Sequence, residues 1–289
     1  MNRLFCFGLG YSALAFARGL DRSVWQIAGT CRSEAGAAAL REEGIRVVLF
    51  DRTRLPADAD ADLVGTSHIL ISVPPDEAGD PVLDCWGEAI ARLGSLSWLG
   101  YLSTTGVYGD RGGGWVDEAS ALTPSGPRGR LRVEAEAGWL ALWRSRAVPV
   151  HLFRLAAIYG PGRSALDTIR SGRAQRIVKP GQVFSRIHVA DIATVLAASI
   201  ARPNPGAAYN LADDEAAAPD EVLAHAATLL GVPIPPAIPF ETASLSEMAR
   251  SFYADNKRVA NNRIKRELGL TLAYPDYRSG LEALVRSGD

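Results

Sequence analysis

The feature that most restricts the fold is a series of short apolar runs: "LFCFG", "VWQIAGT", "IRVVLF", "HILISV", "SWLGYLS" and "VPVHLFRL". Each is continuously apolar rather than alternating, as expected of parallel strands buried on both faces. The segments between several of them read as helices. "YSALAFARGL" has helical spacing, "SEAGAAALREEG" starts on the cap Ser33 and stops at Gly44, and "DPVLDCWGEAIARLG" follows "HILISV". A further helix opens at Arg128. Strand–helix alternation of this kind predicts an α/β fold with a doubly wound parallel sheet.

After Gly160 the alternation breaks. "GPGRS", "VKPGQ", "RPNPG" and "GVPIPPAIPF" punctuate the chain, and "PDEVLAHAATLLG", "SLSEMARSFYA" and "PDYRSGLEALVRS" read as helices. The expected organisation is an α/β domain over 1–160 and a smaller, mostly helical C-terminal lobe over 161–289. Within the lobe, 183–203 ("SRIHVADIATVLAASI" and its flanks) is expected to return to the first domain.

Composition narrows the function classes. Formal net charge is −1 with arginines spread along the chain, so no nucleic-acid or membrane-surface footprint is expected. Cys6, Cys31 and Cys85 form no CxxC or Cys/His cluster, which argues against disulfide scaffolding and structural zinc. No apolar run reaches the roughly 18 residues of a membrane span, and the start shows no long apolar signal region. The expectation is a cytoplasmic protein without a metal that acts on a small molecule.

"GLGYSA" (8–13) ends the first strand and opens the first helix. Gly8 allows the tight turn, and Gly10 lets the backbone approach a pyrophosphate. Ala13 still permits close helix–strand packing, and Tyr11 and Ser12 complete the loop. The helix N-terminus then offers free N–H groups to phosphates. The second strand ends "GTCRS". An NAD site usually carries an acid here, whereas Arg32 suits the 2′-phosphate of NADP. NADP is therefore the expected cofactor and NAD the alternative. Asp51, closing "VVLFD", is placed either to bond the adenine edge or simply to turn the chain. Val73 and Ser103, at the ends of later strands, complete the candidate cofactor contacts.

Over nearly its full length the chain resembles the extended short-chain dehydrogenase/reductases, the NAD-dependent epimerase/dehydratase group. The residues that carry the likeness are "GLGYSA", "STTGVYGD", "FRLAAIYGPG" and "SRIHVADIA". The resemblance implies a Rossmann domain with a small C-terminal substrate lobe, hydride transfer at a sugar or alcohol carbon, and dimerisation through helices of the nucleotide domain. It places the family's catalytic hydroxyl on Thr104, with Ser103 and Thr105 beside it. The tyrosine and lysine of the family's YxxxK pair fall near Arg128 and Arg132, in "GPRGRLRVEAE". No tyrosine occurs between Tyr108 and Tyr159, and no lysine precedes Lys179. The sequence therefore looks like an atypical branch lacking that pair. A guanidinium stays protonated at working pH and cannot cycle a proton. Arg132, in the lysine's place, can instead hold the cofactor ribose or an anionic substrate, or simply be solvated.

Other groups carry weaker signals. Glu118, in "GGGWVDEAS", can act as acid or base if desolvated, or be a plain loop acid. Tyr108 and Tyr159 belong to structural or cofactor-lining segments. His188 reads as a core histidine, and Arg154 and Asp191 as buried charges that need partners. "DNKRVANNR" (255–263) either borders a substrate pocket or caps a surface turn. Two functions stay open: an NADP-dependent enzyme with non-standard acid/base groups acting on a small polar substrate, and a binding protein that senses the cofactor without turnover. A vestigial scaffold is disfavoured by the intact glycine loop.

Overall fold

The computed structural model describes residues 1–54 and 58–288. The elements of the first half are β1 (Asn2–Phe7), α1 (Tyr11–Arg18), β2 (Trp25–Cys31), α2 (Glu34–Glu42), β3 (Arg46–Leu49), α3 (Ala59–Leu63), β4 (His68–Ile71), α4 (Pro81–Ala91), β5 (Trp98–Thr104), β6 (Trp115–Val116) and α5 (Pro127–Arg146). They are followed by β7 (Val150–Leu155), β8 (Ala157–Tyr159), α6 (Ala165–Arg170), β9 (Arg176–Val178), β10 (Arg186–His188), α7 (Val189–Ala201) and β11 (Ala208–Leu211). The chain ends with α8 (Pro219–Leu229), β12 (Ala237–Pro239), α9 (Glu247–Phe252), β13 (Arg258–Val259), α10 (Asn262–Leu268) and α11 (Tyr277–Ser287).

The six apolar runs all become strands of one seven-stranded sheet, ordered β11-β7-β5-β4-β1-β2-β3. The β1–β2, β1–β4, β2–β3 and β4–β5 pairings are parallel. This is the doubly wound α/β fold expected from continuous apolar strands. Strand order reverses direction between β1 and β4, so the carboxyl ends of these two strands mark the switch point at which such sheets bind ligands.

Two compact units are distinguishable. The first comprises 1–104, 130–154 and 193–209. Its core joins Phe5, Phe7 and Ile71 of the sheet to Trp86 of α4 and Trp139 of α5. Helix caps there follow the sequence. Ser33 accepts from the Gly36 amide, and Asp80 accepts from the Val82 and Leu83 amides at the start of α4. Trp139 Nε1 also donates to Asp80 Oδ2 at 3.0 Å, tying α5 to the cap of α4. Gly138 of α5 lies so close to Leu83 that a Cβ would sit 2.6 Å from its Cδ2.

The second unit comprises 105–129, 155–192 and 210–289. Besides its helices it holds three short parallel pairings: β8 with β10, β9 with β12, and β6 with β13. Its main core packs Tyr159, Leu166, Val222, Ala226, Tyr277 and Leu281 together. Asp191 accepts from the Ala273 and Tyr274 amides at 2.8 and 3.0 Å, which satisfies this buried charge with backbone donors. No helix among the described residues is long and apolar enough to cross a membrane.

Candidate functional site

The 8–13 loop leaves β1 and is fastened to β2. Gly8 N donates to Thr30 Oγ1 at 2.9 Å, and Leu9 N to the Thr30 carbonyl at 2.8 Å. The two glycines of the loop have different physical reasons. Gly8 has φ +83°, and a Cβ there would meet Val73 Cγ2 at 3.0 Å. The turn and the close approach of the β4 end both require a glycine at that point. Gly10 has an ordinary extended conformation, φ −96° and ψ −168°. A Cβ on Gly10 would meet nothing within 4 Å. Neither backbone strain nor internal packing accounts for glycine at position 10, which is exposed and faces open space.

That space lies at the start of α1. Gly10 is its N-cap and supplies no side-chain cap bond, and the first turn carries no acid. Ser12 and Ala13 are buried, and their amides have no partner among the described residues. Unsatisfied N–H groups and the positive end of the helix dipole suit a phosphate. At the end of β2, Arg32 is exposed and makes no hydrogen bond or ion pair among the described residues. Asp51 is more occupied. Its Oδ1 accepts from the Thr53 amide at 3.0 Å and the Thr53 hydroxyl at 2.5 Å, and these bonds hold its carboxyl below the usual range. Its carboxylate thus closes the turn after β3.

At the end of β5, Ser103 is buried and donates to Glu136 Oε1 at 2.5 Å. Arg154 pairs with the same carboxylate, Nη2 to Oε2 at 2.8 Å and Nε to Oε1 at 3.1 Å. Glu136, missed in the sequence reading, is therefore the partner of Arg154. A signal was there: Glu136 lies on the helix face of Ala135 and Trp139, and a buried cation on β7 needs an acid. Thr104 is half-buried beside Ser103.

Arg132, one turn before Glu136, points back to the sheet. Its Nη1 donates to the Tyr101 hydroxyl at 3.0 Å and to the Leu102 carbonyl at 2.8 Å. Its guanidinium carbon lies 5.6 Å from the centre of the Tyr101 ring. Arg128, by contrast, is exposed.

The remaining candidates belong to the second unit. Glu118 Oε1 accepts from the Asn210 amide at 2.8 Å, and burial raises its carboxyl above the usual range. Tyr108 donates to Asn210 Oδ1 at 2.7 Å and is fully buried. Tyr159 donates to the Asp276 carbonyl at 3.3 Å. His188 is a core histidine. Its Nδ1 accepts from the Ala190 amide, its ring packs on Tyr274, and burial lowers its pKa to about 4. Residues 259–262 of "DNKRVANNR" line a cavity of about 510 Å³ together with Asp213 and Asp214. A second cavity of about 420 Å³ has Arg163, Arg173 and Arg186 in its wall. Among the described residues there is no group of acids, histidines or cysteines suited to a metal ion.

No protein-family model matches the chain. A functionally unknown conserved protein from Silicibacter pomeroyi has a solved structure that is 52% identical, with a TM-score of 0.92 and 99% of each chain covered. Protein YeeZ of Escherichia coli K12 is 26% identical over 285 residues, 96% of this chain and 97% of its own. Further structural neighbours are NAD complexes of epimerases and dehydratases acting on sugar nucleotides. One is UDP-glucuronic acid 4-epimerase from Bacillus cereus, 14% identical with a TM-score of 0.77, covering 98% of this chain and 97% of its own. At that identity the likeness is one of fold.

Proposed function

We propose that this chain, which belongs to one family with the functionally unknown conserved protein from Silicibacter pomeroyi, binds a nicotinamide dinucleotide at 8–13. On this reading it is an NAD(P)-binding protein of the epimerase/dehydratase type, with a non-standard active site for a small polar substrate. The observation that carries it is Gly10, a glycine that neither its φ nor its packing demands, set at the uncapped start of α1. The dinucleotide would supply hydride chemistry. The chain's own part is to hold the pyrophosphate on the Gly10 backbone and the α1 amides.

The test is a calorimetric titration of the purified protein with NADP and NAD. Gly10→Val should abolish binding of both while leaving the protein folded, since a Cβ there meets no protein atom within 4 Å. Binding that survives this substitution sinks the assignment.

NADP is the preferred form in this proposal, with Arg32 as the contact to its 2′-phosphate. A charge-assisted pair contributes about 1.5–3 kcal/mol, roughly tenfold to a hundredfold in affinity. The same titration should therefore favour NADP in the wild type and lose most of that preference in Arg32→Ala. Equal affinities in the wild type count against it.

The second reading, a cofactor sensor without turnover, is favoured by one observation. The Ser103 hydroxyl, beside Thr104 on which the resemblance places the catalytic hydroxyl, donates a hydrogen bond to Glu136 and so does not share that task. Cofactor binding without oxidation or reduction across a substrate panel would select the sensor.

A further inference from the structure

We propose that Arg132 binds an oxyanion of the substrate, a carboxylate or a phosphate, through the Nε/Nη2 edge of its guanidinium. This rests on the reading of the β5 end as part of the active site.

Three contacts fix the guanidinium. Nη1 donates to the Tyr101 hydroxyl and the Leu102 carbonyl, and the guanidinium carbon lies 5.6 Å from the centre of the Tyr101 ring. Both hydrogen bonds use Nη1. Nε and Nη2, the pair whose parallel N–H bonds form the fork for a two-oxygen anion, have no partner among the described residues. Arg132 is half-buried rather than solvent-stranded, so the fork is held in place before any ligand arrives. A pre-oriented donor loses little side-chain freedom on binding.

The nearby acids do not quench this charge. Glu136, four residues on, is the ordinary helical partner for a cation at this spacing. Its two oxygens are instead taken by Arg154 and Ser103. Asp80, whose carboxyl feels the charge of Arg132, is occupied by the Val82 and Leu83 amides and the Trp139 indole. Arg132 thus lacks an ion-pair partner among the described residues, at the carboxyl end of a central strand where α/β sheets take their ligands. A neutral diol would use the fork without neutralising its charge. An oxyanion does both.

The experiment titrates the full-length protein with sodium acetate and, separately, with inorganic phosphate, with chloride as a spherical control ion. Each titration is run with and without NADP. At least one oxyanion should bind saturably and in preference to chloride. An acetate response marks a carboxylate substrate, and a response to phosphate alone marks a phosphorylated one. Arg132→Gln should weaken that binding roughly tenfold to a hundredfold. Arg132→Lys keeps the charge but not the fork, so it should retain anion binding and lose the preference over chloride. Tyr101→Phe should weaken binding less than Arg132→Gln, and Arg130→Ala, at an exposed position of the same helix, should leave it unchanged. Melting temperatures confirm that each variant is folded. Absence of saturable oxyanion binding in the wild type overturns the proposal, as does unchanged binding in Arg132→Gln. Loss of NADP affinity in Arg132→Gln with anion binding intact would assign the residue to the cofactor ribose and overturn it too. Anion binding is read without cofactor, so failure of the dinucleotide reading would show in the NADP titration alone.

Discussion

Glu136→Ala is expected to destabilise the protein by about 3–5 kcal/mol, the usual cost of breaking a buried ion pair from one side. Glu136 and Arg154 are 2% and 5% exposed. The substitution leaves the Arg154 guanidinium inside the first unit without its carboxylate, and it removes the acceptor of the Ser103 hydroxyl. The pair itself need not be a net source of stability, because the desolvation of two charges offsets most of their attraction. Replacing both residues with methionine should therefore cost much less than either single change. Denaturant unfolding of the two single variants and the double variant checks this. A loss below about 1 kcal/mol in Glu136→Ala would mean that water or another group compensates Arg154.

The sheet was legible because its signal is repeated. Six continuous apolar runs each carry the same message, and buried parallel strands tolerate no other pattern. The caps Ser33 and Asp80 sit where short polar side chains precede helical spacing. The two-residue and three-residue strands of the second unit were not legible. Stretches such as Trp115–Val116 and Arg258–Val259 are too short to show any periodicity, and their pairing is set by partners more than a hundred residues apart in the chain. At the candidate site, the loop could be read from its glycines, but the division of labour between them could not. Gly8 and Gly10 look alike in the sequence, and only the backbone angles and the surroundings of each separate a turn glycine from one that guards open space. The Glu136–Arg154 pair was half legible. Arg154 stands out as a charge in an apolar strand, but its acid lies on α5, and only the fold brings the two together.

The protein is expected to show hydride transfer to or from generic alcohols and nucleotide sugars about 10²–10⁴-fold slower than an ordinary dehydrogenase, the usual deficit without a positioned general acid/base. The chemistry needs a group that both gives and takes a proton near neutral pH. A guanidinium is a donor that cannot take up a proton. Tyr101, the phenol that touches Arg132, is fully buried in the core, and burial holds its pKa well above the ordinary range, so it neither reaches a substrate nor ionises. Ser103 has committed its proton to Glu136, and that carboxylate is neutralised by Arg154. A threonine hydroxyl such as Thr104 orients an oxygen but does not take up its proton. Spectrophotometric turnover with NADP and NAD over a panel of alcohols and sugar nucleotides is the measurement. Rates in the ordinary range of roughly 1–10³ s⁻¹ would show that another residue supplies the proton. Glu118 is then the first to change, because burial raises its carboxyl above the usual range. In that case Glu118→Gln should remove the activity and leave the cofactor titration as it was.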